Sequence, residues 1–434
     1  MLSRSHLPTS LRSLLVPFRS LFTAPSYTTF CLLVAGFLTH TGERTVCGML
    51  TGAGLAQRWH HSRAHRFFAN APWSIDALGR LLATAILAAL VPDDAPIQLV
   101  VDDTLMPRTG RKVFGALWCH DGSATGPKPI GFGNCFVVVG VVVALPFCRR
   151  PVCLPVFWAL WQKGESKVAT ARRLIDGLSR QYPDRPIHVV GDAAYASRAL
   201  RGLPHHVTWT SRLRKDAALY QVAPARTGRR GRPRTKGARL PPLAELAATL
   251  PWVAATVTRY ASTATVELAH RECLWYTPFG SQVVQLVMVR EAGHPGYGLA
   301  LVSTDRDATA AALVERYAAR WSIEVAFEEA KQITGVGEAR NRTEPAVRRT
   351  VPFGFACQSL LWLWYATSLH DDAVVADRRQ RAPWYRSKET PSTLDLLITA
   401  RRVLIAARFR PGQPEHPTPT DIREVQLAWA LAAA

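Results

Sequence analysis

Two short hydrophobic segments of the chain end in aspartates, and this pattern limits the folds that are open to it. Residues 97–101 (IQLVV) lead directly into Asp102 and Asp103, and residues 187–190 (IHVV) lead through a glycine into Asp192. Hydrophobic runs of this length, rich in β-branched residues, are typical of buried strands. The sequence therefore predicts a sheet in which carboxylates lie where two hydrophobic strands stop.

A stretch of twenty uncharged residues, 129–148, is long enough to mimic a membrane span. Its six valines, three glycines and two prolines favour a pair of buried strands instead, because valine packs well in sheets and Gly and Pro interrupt helices. Further strand-like runs follow at residues 253–260, 263–276, 283–290 and 297–303. Since helical patterns lie between and around these runs, the sequence predicts an α/β fold with a mixed sheet.

The charge of the chain points to a polyanionic partner. Lysine and arginine total 53 against 32 aspartates and glutamates, giving a formal net charge of +21, and nucleic acid is the first expectation. A loop rich in Gly and Pro at residues 212–239 holds ten of these basic residues. Within it Arg230, Arg232 and Arg234 are candidate DNA contacts, either in a narrow minor groove or as non-specific phosphate contacts.

The eight cysteines never form a C-x-x-C pair, and no paired Cys/His spacing of a structural zinc site occurs. We interpret them as thiols in a reducing compartment and expect a cytoplasmic, bacterial protein without a membrane anchor. A half-site at Cys119 and His120 is the less favoured interpretation.

Residues 309–334 predict a helix with four functional side chains on one stripe. Tyr317, Arg320, Glu324 and Lys331 are separated by offsets of three, seven and fourteen, which at about 100° per residue place them on one face. An exposed helix commonly carries such ion pairs. Beside strand-end aspartates, however, a helical glutamate can complete a carboxylate set for a pair of Mg²⁺ ions that act on phosphodiesters.

These residues resemble the signature of bacterial insertion-sequence transposases that have a DDE, RNase H-like catalytic domain. The signature, Tyr, two residues, Arg, three residues, Glu, six residues and Lys, is complete in YAARWSIEVAFEEAK, residues 317–331. The strand-end segments VVDDT and VVGDAAY occur in the matching order. The resemblance covers roughly residues 95–370, and it implies an RNase H-like mixed-sheet core with a β-rich insertion and a helical N-terminal domain.

The resemblance also implies roles for individual residues. It assigns metal binding and catalysis to Asp102, Asp192 and Glu324, and contacts with DNA phosphates to Tyr317, Arg320 and Lys331. Asp103 is the alternative to Asp102, because the family pattern of Asp, any residue, Thr favours Asp102 and alternation along a strand points the two to opposite faces. Asp121 and Glu328 are reserve carboxylates.

Members of this group that cut through a DNA hairpin stack an insertion-domain tryptophan on a flipped base, and Trp275 is the candidate by position. Its LWY surroundings are equally compatible with a place in a strand core. The hairpin route therefore stays open.

We therefore expect a DNA transposase that binds terminal inverted repeats, cleaves the element ends with two Mg²⁺ ions, or Mn²⁺ in their place, and joins the 3′ ends to target DNA. Its partners would be double-stranded DNA and a second copy in a homodimer. The alternatives are a transposase-derived DNA-binding protein without catalysis and a stand-alone RNase H-like nuclease. The expected parts are a helical DNA-binding domain (1–93), the first part of the core (94–211), the basic loop and β-rich insertion (212–296), the second part of the core (297–372) and a helical tail (373–434).

Overall fold

The structure, a computed structural model, describes residues 7–122, 127, 129–224, 234–408 and 427. In this part of the chain ten strands form one mixed sheet in the order β2-β3-β1-β5-β6-β10-β9-β8-β7, with β4 paired to β3. The strands are β1 (Ile97–Pro107), β2 (Leu117–His120), β3 (Ile130–Val143), β4 (Val152–Leu160), β5 (Ile187–Gly191), β6 (Val207–Arg212), β7 (Val253–Arg259), β8 (Ser262–Leu274), β9 (Val283–Glu291) and β10 (Leu299–Ser303).

Along the chain, helices lie before the first strand, between strands and after the last strand. They are α1 (Thr9–Leu15), α2 (Ala24–Thr39), α3 (Val46–Gly52), α4 (Ser62–Ala69), α5 (Ile75–Leu90), α6 (Lys167–Ser179), α7 (Leu243–Thr249), α8 (Tyr276–Phe279), α9 (Ala310–Ala319), α10 (Trp321–Glu329), α11 (Glu344–Trp364), α12 (Ala373–Arg381) and α13 (Thr393–Ala406). Strand β3 runs antiparallel to β1, and β4 runs antiparallel to β3. On the other side of β1, β5 and β6 continue the sheet in parallel. The predicted RNase H-like α/β fold is confirmed.

The valine-rich segment forms one long strand, so the predicted pair of strands is wrong in number. β3 is bordered by β1 on one side and by β2 and then β4 on the other. Its glycines do not break the strand; they allow close approach, since a Cβ at Gly133 would lie 2.2 Å from the Met106 carbonyl oxygen and one at Gly140 would lie 2.2 Å from Cys153 Sγ. Among the described residues no helix is long and apolar enough to cross a membrane.

The predicted β-rich insertion is not separate from the sheet of the catalytic core. Strands β7 to β9 extend the same sheet, because β9 pairs with β10 and β10 pairs with β6. Helix α9 packs against this extension through Leu313 and Val314, which join the buried side chains Val257, Val266 and Val287 in a small second core. The extension therefore supports the helix that leads into the candidate site.

The N-terminal helices share the main hydrophobic core with the sheet. Phe353 of α11 lies at the centre of this contact, with ring centroids 5.2–6.4 Å from the rings of Phe30, Phe37, Phe67 and Phe68. These edge-to-face arrangements are favourable aromatic geometries. Helix α13 is fixed to α2 in a different way, since buried Arg401 donates to the carbonyl oxygens of Leu38 and His40.

Replacing Phe353 with alanine should therefore destabilise both parts of the protein together. Loss of a fully buried ring from a packed core typically costs about 3–5 kcal/mol in the free energy of unfolding. We expect urea denaturation, followed by circular dichroism, to show one transition at lower denaturant concentration. Trp384→Ala, at an aromatic side chain that is 74% exposed, is the control. Two well-separated transitions in the wild-type protein would contradict a shared core.

Candidate active site

Parallel pairing of β1 with β5 brings two predicted aspartates to the same level of the sheet. Val100 pairs with Val190, and Asp102 and Asp192 each lie two residues beyond this pair. The predicted strand end before Asp102 is wrong, because pairing with β3 continues β1 to Pro107 and Asp102 pairs with Val138. The predicted end of the second strand is confirmed, since β5 ends at Gly191 and Asp192 follows it. The carboxylates therefore meet where the parallel part of the sheet ends.

Arg320 connects the sheet to the glutamate of α10. Its Nη1 donates to Asp102 Oδ2 at 3.1 Å, and its Nη2 donates to Glu324 Oε1. The Arg320 side chain is 12% exposed, so both ion pairs are partly shielded from water. Because one guanidinium binds both side chains, Asp102 and Glu324 converge on the same cationic group.

The electrostatics of Asp102 show how closely charges are packed here. Burial raises the pKa of Asp102 to about 7, against the opposing effect of Arg320, and the negative charges of Asp192 and Asp103 add to the increase. Burial lowers the pKa of Arg320, but Glu324 and Asp102 outweigh it, so the net shift is upward. Even with Arg320 beside it, Asp102 is therefore close to half-protonated at neutral pH, and a further positive charge would favour its ionised form.

The backbone after β5 fixes Asp192. Its Oδ1 accepts hydrogen bonds from the backbone N–H of Ala194 at 2.8 Å and of Tyr195 at 3.2 Å. The hydroxyl of Ser211, on β6, donates to the Asp192 carbonyl oxygen at 2.8 Å. This turn leaves Asp192 facing a cavity of about 370 Å³, which it lines with Arg212, Arg214, Lys215, Tyr317 and Arg320 among others.

Asp103 has a different set of partners on the other face of β1. Its Oδ1 accepts from the hydroxyl of Tyr195 at 2.9 Å, and its Oδ2 accepts from Lys167 Nζ at 2.5 Å and from Cys135 Sγ at 3.4 Å. Sequence reasoning missed Lys167 and Tyr195. Only the position of Tyr195, three residues after Asp192 in the same turn, offered a signal. Both Asp103 oxygens are therefore engaged in holding β1 to the start of α6 and to the turn after β5.

The predicted helix over residues 309–334 is confirmed in its extent, but it is not one regular α-helix. The chain forms α9, then α10 from Trp321, and then a π-helical turn over Ala330–Thr334, with Arg320 at the first junction. A π-turn changes the angular spacing of the residues that follow it, and such turns are frequent at functional sites. Lys331 lies in this turn; burial lowers its pKa, whereas Asp121 and Cys135 act in the opposite direction. The electrostatic partners of Lys331 are thus Asp121, which follows β2, and Cys135 of β3.

Three further candidates, Trp275, Glu328 and Arg234, lie within the described residues. Trp275 is half-buried at the start of α8, with its ring centroid 6.1 Å from that of Phe279. Glu328 and Arg234 are exposed. Arg230 and Arg232 lie outside the described residues.

The donor chemistry of the site fits a divalent cation such as Mg²⁺, which prefers carboxylate oxygens. Asp102 and Glu324 already bind one cationic group, the Arg320 guanidinium. The negative charge of Asp192 is close enough to raise the pKa of Asp102. In the part of the chain that the structure describes, no three His, Cys, Asp or Glu side chains are arranged as ligands of one ion as they stand. The residues that would hold the ion are thus present, with Arg320 between two of them.

Two sequence families match the chain. The family described as DDE superfamily endonuclease matches residues 17–174, and the family described as transposase DDE domain matches residues 160–357. The two matches together extend from residue 17 to residue 357 and include the three carboxylates and Arg320. None of the curated proteins compared with the chain matches it significantly.

The two neighbouring aspartates should respond differently to amide substitution. Asp103→Asn removes the ion pair with Lys167 and should lower the free energy of unfolding by about 1–3 kcal/mol. Asp102→Asn should cost less, because Arg320 keeps its ion pair with Glu324. Urea denaturation of the two variants beside the wild type measures the difference. A larger loss for Asp102→Asn than for Asp103→Asn would refute this division of roles.

Proposed function

The chain belongs to the DDE-type transposases, and from this premise we propose that it binds the terminal inverted repeats of its element, cleaves the DNA there and joins the 3′ ends to a target. The observation that supports this most strongly is the convergence of Asp102 and Glu324 on one cationic group, Arg320, which lines the same cavity as Asp192. Such a carboxylate set is suited to phosphodiester chemistry.

In this proposal Asp102, Asp192 and Glu324 hold divalent cations, with Mg²⁺ as the expected ion. A bound cation would lower the pKa of the attacking water and stabilise charge on the leaving oxygen. The backbone hydrogen bonds to Asp192 keep its carboxylate aimed at the cavity.

The basic walls of the cavity would bind the DNA backbone. Arg212, Arg214 and Lys215 line it from the end of β6 and the loop that follows. Tyr317 and Arg320 line it from the helical side, with the Arg320 guanidinium carbon 5.8 Å from the Tyr317 ring centroid. Guanidinium groups bind phosphate oxygens through paired, charge-assisted hydrogen bonds. Lys331 would contact the DNA backbone beyond the end of α10.

The N-terminal helices would recognise the element ends. Around α4 the chain keeps His61 and Arg66 exposed, while Phe67 and Phe68 are buried in the core. The guanidinium of Arg63 lies 3.6 Å from the ring centroid of Trp59, which presents a charged, stacked surface beside α4. Because two ends must be brought together, we expect the protein to act as a homodimer on DNA.

Glu324→Gln should abolish cleavage of end DNA while leaving binding intact. The amide removes one cation ligand, whereas the basic residues of the cavity remain. Cleavage is measured on labelled duplex carrying the element ends, in Mg²⁺ and in EDTA, on denaturing gels, and binding is measured by native gel shift. Glu328→Gln, at an exposed carboxylate one helical turn away, is the matched control. A comparable loss of binding, or cleavage that survives the Glu324→Gln substitution, would refute the assignment.

Arg212→Ala should weaken binding of end DNA in a salt-dependent way. A residue that neutralises one phosphate contributes close to one unit to the slope of log K against log salt concentration. Fluorescence anisotropy over a range of NaCl concentrations measures this slope. An unchanged slope would show that Arg212 does not contact a phosphate.

A further inference from the structure

We infer that Arg320 blocks the cation position in the DNA-free protein and that a DNA phosphate must draw its guanidinium away before a divalent cation can bind. This inference rests on the proposed function, and it gives Arg320 a second role beyond contacting DNA. Its physical basis is competition between a guanidinium and a metal ion for the same carboxylate oxygens.

Both carboxylate oxygens of Asp102 accept hydrogen bonds. Oδ1 accepts from the backbone N–H of Asp103 at 2.8 Å, and Oδ2 accepts from Arg320 Nη1 at 3.1 Å. On the helical side, Arg320 Nη2 donates to Oε1 of Glu324. The guanidinium thus satisfies the two carboxylates that converge from the sheet and from α10.

A metal ion cannot share this position with the guanidinium. Mg²⁺ binds its oxygen ligands at about 2.0–2.1 Å in nearly octahedral geometry, so an ion on Asp102 Oδ2 and Glu324 Oε1 would compete with the Arg320 guanidinium for these two oxygens. The positive charge of Arg320 would also repel the ion at short range.

Arg320 can nevertheless leave without crossing the core. Its side chain also lines the open cavity, together with Asp192, Arg212 and Tyr317. Its Nε is buried and has no hydrogen-bond partner within the described part of the chain. A phosphate in the cavity would offer an acceptor to this unsatisfied donor and could bind Nε and one Nη together, which is the arrangement that arginine favours with phosphate.

The consequence is a coupling between DNA binding and cation binding. If a phosphate removes Arg320 from Asp102 and Glu324, bound DNA raises the affinity for the cation, and the cation raises the affinity for DNA by the same factor. The protein would then assemble its cleavage site only on DNA that reaches into the cavity, which would limit cutting elsewhere.

The test is the binding of Mn²⁺ to the full-length, DNA-free protein, measured by electron paramagnetic resonance of the free ion. R320A should bind Mn²⁺ on the order of tenfold more tightly than the wild type, a typical size for such coupling. R320Q retains much of the side-chain volume and should show the same gain, which keeps the test valid if the smaller alanine side chain disturbs folding. Adding D102N to R320A should abolish the gain.

Arg212→Ala is the matched control, because it removes one positive charge from the same cavity without releasing a carboxylate. If R320A and R320Q bind Mn²⁺ no more tightly than R212A, Arg320 does not block the position and the inference is wrong. That result would leave the proposed function standing as long as Glu324 is required for cleavage of end DNA. A wild-type protein that neither binds Mn²⁺ on end DNA nor cleaves it would instead refute the proposed function.

A second arm uses the duplex that carries the element end. In the wild type this DNA should raise the affinity for Mn²⁺, and in R320A the increase should be smaller, because the carboxylates are already released. An equal increase in both proteins would mean that DNA acts through its own phosphates rather than through Arg320, and would overturn the inference.

Discussion

The placement of β1 between β3 and β5 is the constraint on which the candidate site depends. Antiparallel pairing with β3 and parallel pairing with β5 bury β1 and fix its register. That register sets Asp102 level with Asp192 on one face, while Asp103 turns to Lys167 and Tyr195 on the other. A shift of one residue would exchange the two faces. The burial that fixes the register of β1 therefore also determines which aspartate lies beside Asp192.

The helices before and after the strands pack against the sheet and share its hydrophobic cores. α11 carries Phe353 into the aromatic core of the N-terminal helices, and α9 rests on the extension formed by β7 to β9. α10 is thereby held from several sides. Arg320, at the junction of α9 and α10, can then bind the strand carboxylate Asp102 and the helical Glu324 with one side chain.

Local patterns predicted much of the fold, and tertiary contacts account for the rest. The hydrophobic run of β5 shows where that strand ends, so the position of Asp192 could be predicted directly. The run of β1 locates Asp102 but not the end of its strand, because pairing with β3 extends β1 to Pro107. The π-turn at Ala330–Thr334 leaves no trace in helical periodicity, and the glycines of β3 serve close packing that sequence alone does not reveal. Neither the Lys167 contact with Asp103 nor the place of Arg320 between two carboxylates could be predicted, since both depend on contacts between residues far apart in the chain.

The most direct test is a crystal structure of the protein with duplex DNA of the element end and Mn²⁺, with the ion located by its anomalous scattering. We predict a Mn²⁺ peak bounded by Asp102, Asp192 and Glu324, with the guanidinium of Arg320 on a DNA phosphate. A Mn²⁺ peak away from these carboxylates, with Arg320 still bridging Asp102 and Glu324 on bound DNA, would contradict the account.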